Sequence, residues 1–395
     1  MHTHTLPSHH RARRAARTRA ARAGLAAGLG LAGLALVTAC DDAAQPVGPA
    51  PTAARSAAAA QPTAGAAATT SLIAKGFARI LANTDSVIAG AQTYNAAGGR
   101  VENEYEGPRL RTLTFNTLRS VLRGEPHAQV ALVRQYSQTR GDGRCTGHAA
   151  VAENGADILV HAYCAAVGAD PMLLAAQVFD RDAPAAYATV DALGSARNTH
   201  HLARSERVAE GRYRVFFERA PVFGVGAKPI AFVTSRSSVR DSKGQSHAAA
   251  CKLRSVGSNA QRVGELGVEV DCFGIGDRPA DASFNVIALA QQPRTAYALV
   301  GDGQRLFAEN SDNPGGQTTV VRLGTGTYRV AFQGVAASWS DHGTAMVTAH
   351  GPGGGTCALD NWVKIGTGAR VDVQCRSAEG DLADQRFAVL ATTRR

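Results

Sequence analysis

The chain has 395 residues, 45% hydrophobic and 19% charged. That is enough for two or three folded domains at roughly 150 residues each, and too apolar for a wholly disordered chain. Its net charge of +10 is concentrated at the start: Arg11, Arg13, Arg14, Arg17, Arg19 and Arg22 precede residue 40 with no acid among them. Without them the balance is +4, 36 basic residues against 32 acidic, and no nucleic-acid partner is expected.

Residues 1–22 are rich in His and Arg, and residues 23–39 form an uncharged run of Gly, Ala and Leu. A positive region followed by an apolar run and small residues has the layout of a secretory signal peptide, too short and glycine-rich for a permanent span. The run ends in Leu36-Val37-Thr38-Ala39-Cys40, which resembles the lipobox of bacterial lipoproteins. The resemblance implies cleavage before Cys40, lipidation of its thiol, and membrane attachment through that lipid. The expected location is the outer face of an envelope membrane, in the periplasm or at the cell surface. Residues 40–70 are mostly Ala, Pro and Thr. They have too little apolar surface to offset their ordering entropy, and they read as a disordered tether.

Beyond the tether the chain repeats. Six cysteines pair as Cys145/Cys164, Cys251/Cys272 and Cys357/Cys375, separated by 19, 21 and 18 residues, and the first of each pair recurs every 106 residues. Phe77-Ala78-Arg79-Ile80 matches Tyr187-Ala188-Thr189-Val190 and Tyr297-Ala298-Leu299-Val300. Gly211-Arg212-Tyr213-Arg214-Val215-Phe216-Phe217 matches Gly326-Thr327-Tyr328-Arg329-Val330-Ala331-Phe332, with Leu113-Thr114-Phe115 as a degraded version in the first copy. Ala231-Phe232-Val233-Thr234 matches Ala345-Met346-Val347-Thr348, with Val130 in the corresponding place. Three copies follow: 71–181, 182–291 and 292–395.

Within a copy the period is two. Val268, Val270 and Cys272 alternate with Glu269 and Asp271; Val371, Val373 and Cys375 alternate with Asp372 and Gln374; Ile158, Val160, Ala162 and Cys164 alternate likewise. This predicts antiparallel strands with one buried face and inward cysteines. The fold class is all-β: three tandem antiparallel β-sandwich domains, each with one intradomain disulfide. Closing each loop is worth about 3 kcal/mol in the chain-entropy view. Only Asp170–Phe179 hints at a helix. The order Ala-Tyr, Gly-x-Tyr-x-Val-x-Phe, Val-Thr, Cys, Cys and Asp-x-x-Phe (Asp281–Phe284, Asp384–Phe387) resembles an uncharacterised two-cysteine β-repeat of secreted proteins from GC-rich bacteria. The resemblance implies fold and location and assigns no catalytic residue.

Motifs for chemistry are sparse. There is no His-Glu-x-x-His, Gly-x-Ser-x-Gly or Walker A sequence, so no catalytic residue, metal ligand or cofactor is assigned. His148, His161 and the adjacent His200-His201 read as solvated, the latter pair in a loop. Asp142-Gly143, Gly301-Asp302-Gly303 and Asn310–Asn313 carry oxygen ligands that also suit turns. Asp281 and Asp384 recur in their copies, which favours capping a turn over catalysis. Arg236, Arg240 and Arg254 could meet anionic polymers, but read as a solvated face. The longest loops are expected at 191–208 and 234–250. The sequence thus points to a lipid-anchored cell-envelope protein displaying its repeats for non-catalytic binding or adhesion, its partner an envelope polymer or an extracellular protein. A structural spacer and an enzyme with a site between repeats are the alternatives.

Overall fold

The computed structural model describes residues 76–80, 93–107, 110–122, 126–133, 144–165, 173–179, 185–218, 227–240, 246–258, 265–291, 295–335 and 343–393. The expected signal peptide, Cys40 and the tether lie outside them. The described chain is all-β. Copy one supplies β1 (Gly76–Ile80), β2 (Thr93–Asn95), β3 (Val101–Gly107), β4 (Leu110–Phe115), β5 (His127–Val133), β6 (Arg144–Val151), β7 (Ile158–Ala165) and β8 (Leu173–Phe179). Copy two supplies β9 (Ala185–Val190), β10 (Ala196–His200), β11 (Leu202–Ala209), β12 (Arg212–Glu218), β13 (Ile230–Ser235), the small hairpin β14 (Ser238–Arg240) and β15 (Ser246–Ala248), β16 (Ala250–Ser258), β17 (Glu265–Phe273) and β18 (Phe284–Leu289). Copy three supplies β19 (Thr295–Val300), β20 (Leu306–Asp312), β21 (Thr318–Gly324), β22 (Thr327–Phe332), β23 (Gly343–His350), β24 (Thr356–Ile365), β25 (Gly368–Arg376) and β26 (Arg386–Thr393).

Each copy splits its strands between two sheets. The front strands of copy one (β2-β1-β8-β5) continue into the back strands of copy three (β24-β25-β22-β21). The front strands of copy two (β10-β9-β18-β13) continue into the back strands of copy one (β6-β7-β4-β3), and those of copy three (β20-β19-β26-β23) into the back strands of copy two (β16-β17-β12-β11). Copy one thus meets three, three meets two, and two meets one, which closes a ring. Each junction is a single parallel register pair: Leu359 with Val133, Ser235 with Thr146, and Leu253 with His350. All other strand pairs in these sheets are antiparallel. Where the repeats predicted sandwiches abutting end to end, the sheets run across the copy boundaries.

Three hydrophobic clusters each centre on one copy, and two of them extend across copy boundaries: the copy-two cluster takes in Phe179, Tyr297, Met346 and Leu390, and the copy-three cluster takes in Ala175. Leu113, Phe115, Val130, Ile158, Val160 and Val178 cluster in copy one. In copy two, Tyr213, Val215, Phe217, Val268 and Val270 from the back strands meet Phe284, Val286 and Val190 from the front. In copy three, Tyr328, Val330, Val371 and Val373 meet Ala298, Phe387 and Val389. The front strands have a second buried face, because they also pack against a neighbouring copy. That is why β13, β18 and β19 are buried along their whole length and read as continuous apolar runs.

The disulfides Cys251–Cys272 and Cys357–Cys375 clip neighbouring strands, each cysteine directly opposite its partner in register. Cys145 is also disulfide-bonded and stands opposite Cys164 in register. The Gly-x-Tyr motif turns the chain at a back hairpin. Gly326 has φ +65°, and a Cβ there would lie 2.4 Å from the Cys375 carbonyl oxygen. Asp384 accepts from the Gly326 N–H at 2.9 Å and the Tyr328 hydroxyl at 2.8 Å, and pairs with Arg322. Asp281 makes the same knot with Gly211, Tyr213 and Arg207. In copy one, Arg111 occupies the Tyr213 and Tyr328 position, opposite Ala162. Three expectations are corrected. Residues 173–179 are a strand, not part of a helix, because both of its faces are covered. The span 191–208 is mostly the strands β10 and β11, and 234–250 holds the hairpin β14–β15.

Candidate functional site

A cavity of about 260 Å³ opens where the outer face of the copy-two front strands meets β5 and β6 of copy one. Copy one contributes Pro126, His127, Ala128 and Ala149–Val151; copy two contributes Thr189, Arg197, Arg236 and Asn285. Alternation along the strands places these side chains. Thr189 and Asn285 are register partners on β9 and β18 and project to the same outer face. Arg236 follows β13, its backbone N–H held by the Ser283 carbonyl at 2.7 Å.

The floor is polar and ordered. Asn285 donates to the Ala128 carbonyl at 2.8 Å and to the Gly147 carbonyl at 3.2 Å, while the Thr189 hydroxyl donates to its side-chain oxygen at 2.8 Å. These bonds tie copy two to copy one. His127 is fully buried and stacks on Tyr187, ring centroids 4.7 Å apart. Its Nε2 meets Gln129 Nε2 at 3.1 Å, and its Nδ1 has no hydrogen-bond partner. Burial, with Arg236 adding to it, pushes its pKa down to about 3, so the ring is neutral in ordinary buffers.

Arg236 is the electrostatic centre of this region. It is half-buried, and its Nε is buried without an acceptor. Burial and the like charge of Arg197 both push its pKa down. Its charge depresses His148 as well, after burial, to about 4. Arg197 reaches Asp191 at 3.7 Å but is largely exposed. No carboxylate lines the cavity among the described residues.

The ring supplies an internal control. Register places His127 where the other copies have Ile230 and Thr344, and Thr189 where they have Arg79 and Leu299. It places Asn285 where they have Ala175 and Ala388. Arg236 corresponds to Val133 and His350. The polar set is therefore particular to the junction of copies one and two. A second, smaller cavity of about 70 Å³ lies where the three copies meet, lined by equivalents from each: Val130, Val233 and Val347, with Cys145, Cys251 and Cys357. Thr234, Ser235, Lys252, Thr348 and Thr356 also line it, so its wall is mixed, and its threefold repetition marks it as the place where the copies pack together.

The residues singled out in the sequence distribute as follows. His148 and His161 face each other across β6 and β7, ring centroids 5.0 Å apart, and His161 Nδ1 meets the Thr112 hydroxyl at 2.9 Å. His200 ends β10 and His201, with φ +57°, carries the chain to β11; their rings lie 4.0 Å apart and are not among the cavity lining, though His200 packs 5.7 Å from Tyr187, the ring that stacks on His127. Among the described residues, no three metal-ligating side chains cluster. Asp302 pairs with Arg386 and the Asn313 oxygen accepts from its own turn, so these oxygens serve structure, while Asn310 donates its amide to the Pro229 carbonyl. Arg254 pairs with Asp271 at 2.8 Å. Arg236 departs from the solvated face expected of it. His127, Thr189 and Asn285 were not recognised in the sequence. The signal was there once the copies are aligned: polar residues at positions that are mostly apolar in the other copies.

No known protein family, curated protein or solved structure matches the chain.

Proposed function

We propose that the protein is a lipid-anchored component of a cell envelope, exported by the signal peptide of residues 1–39 and held through a lipid on Cys40. Residues 40–70 tether three tandem β-sandwich repeats, and the repeats serve non-catalytic binding. The observation that carries the binding reading is the asymmetry of the ring. Three equivalent junctions exist, and only one brings His127, Asn285 and Arg236 together around an open cavity; Asn285 stands where both other copies have alanine, and His127 and Arg236 each where one other copy has an aliphatic residue. Cross-strand disulfides support export, since such bridges persist in oxidising compartments.

The test is retention. The mature protein, extracted in mild detergent, is mixed with isolated cell wall, outer-membrane glycan and extracellular matrix fractions. Saturable retention by one fraction supports a binder. No retention by any, with the protein folded by circular dichroism, would favour a structural spacer.

A further inference from the structure

We propose that the cavity between copies one and two binds a small organic oxyanion, a carboxylate or a phosphate ester, with Arg236 and Arg197 supplying the opposing charge. This deepens the binding reading above and rests on it. Guanidinium groups taken out of water are normally paired. Even partly exposed copy-two arginines have carboxylate partners: Arg212 meets Asp271 at 3.2 Å, Arg214 meets Glu269 at 3.0 Å, and Arg254 meets Asp271 at 2.8 Å. Arg236 does not: its Nε is buried without an acceptor, and the charge acting on it is a second arginine. Arg236 beside a void with no carboxylate in the lining, and with Arg197 close enough to repel it although Arg197 itself reaches Asp191 at 3.7 Å, forms a site that an anion would stabilise.

The rest of the lining fits an organic ligand better than a bare ion. A volume of about 260 Å³ is several times the share of one liquid water, about 30 Å³. Ala128, Ala149, Ala150 and Val151 give one wall an apolar surface, and Pro126 adds to it. Nδ1 of the fully buried His127 is a hydrogen-bonding atom without a partner in the folded chain. A carboxylate or phosphate suits a guanidinium because two parallel N–H bonds match its two oxygens.

Isothermal titration of the mature protein in nonionic detergent tests this, with inorganic phosphate and succinate as probes and chloride holding ionic strength constant. Saturable binding of at least one probe is expected, and which one binds separates phosphate from carboxylate. Arg236→Gln should weaken that binding about tenfold or more, the loss of a charged hydrogen bond, with Arg236→Lys falling between. Arg212→Gln, on the outer face of β12, should leave it unchanged. Thermal melts confirm that each variant folds. Absence of saturable heat for both probes, or binding that Arg236→Gln leaves intact, would overturn the assignment. Envelope retention that persists without oxyanion binding would overturn it alone and leave the binder reading standing.

Discussion

The hydroxyl of Thr234 in copy two accepts the backbone N–H of Val130 in copy one at 3.2 Å. It donates in turn to the Gln129 side chain. Thr348, the equivalent residue of copy three, reaches the Val233 carbonyl of copy two at 3.5 Å. The same threonine thus reaches back to the preceding copy twice around the ring. Removing a buried partner leaves the others desolvated and unpaired. Thr234→Val should therefore destabilise the protein by about 1–3 kcal/mol, read from denaturant midpoints at constant slope. A change within experimental error would mean the junction contributes nothing.

Buried imidazoles set an acid limit. His127, pushed down to about 3, and His148 and His350, each pushed down to about 4, bind protons less readily in the folded than in the unfolded chain. Depressed folded values mean full stability above the unfolded value of about 6.5 and progressive loss as pH falls below it. Carboxylates held low, such as Asp281 and Asp302, act only at more acid pH. Thermal midpoints should decline from near-neutral pH towards pH 4, and His127→Gln should flatten that decline. An unchanged slope in the variant would remove His127 as a source.

The knot around Asp384 should be sensitive at its glycine. Gly326 sits in the left-handed region, and an added methyl would meet the Cys375 carbonyl. Gly326→Ala should cost about 1–3 kcal/mol, and Gly211→Ala, at φ +66°, a similar amount. Equal stability of both variants would mean the turns relax freely.

The alternating back strands were legible because they bury one face: Val268 and Val270 are covered while Glu269 holds Arg214 and Arg254 outside. The paired cysteines were legible because they stand opposite one another on adjacent strands. Ring closure was not. It depends on single parallel register pairs between residues such as Leu359 and Val133, far apart in sequence and ordinary in character. The cavity was hidden for a related reason. Arg236 looks like any surface arginine until folding packs it against copy one, and Gln129 opposite Gln177 stands where the other copies pair Phe232 with Ile287 and Met346 with Leu390.

Anchoring has its own test. Cys40→Ala should abolish lipid labelling and release the protein from the membrane fraction. Unchanged attachment would contradict the proposed lipidation.

The buried junction network and the doubly covered front strands require the three copies to close on one another. Co-expression of residues 71–291 and 292–395 as separate chains tests that closure most directly. Apart, each fragment leaves junction strands unpaired and should be unfolded or aggregated; together they should form a stable one-to-one complex with the circular dichroism of the intact chain. Two fragments that fold alone and remain monomeric when mixed would contradict it.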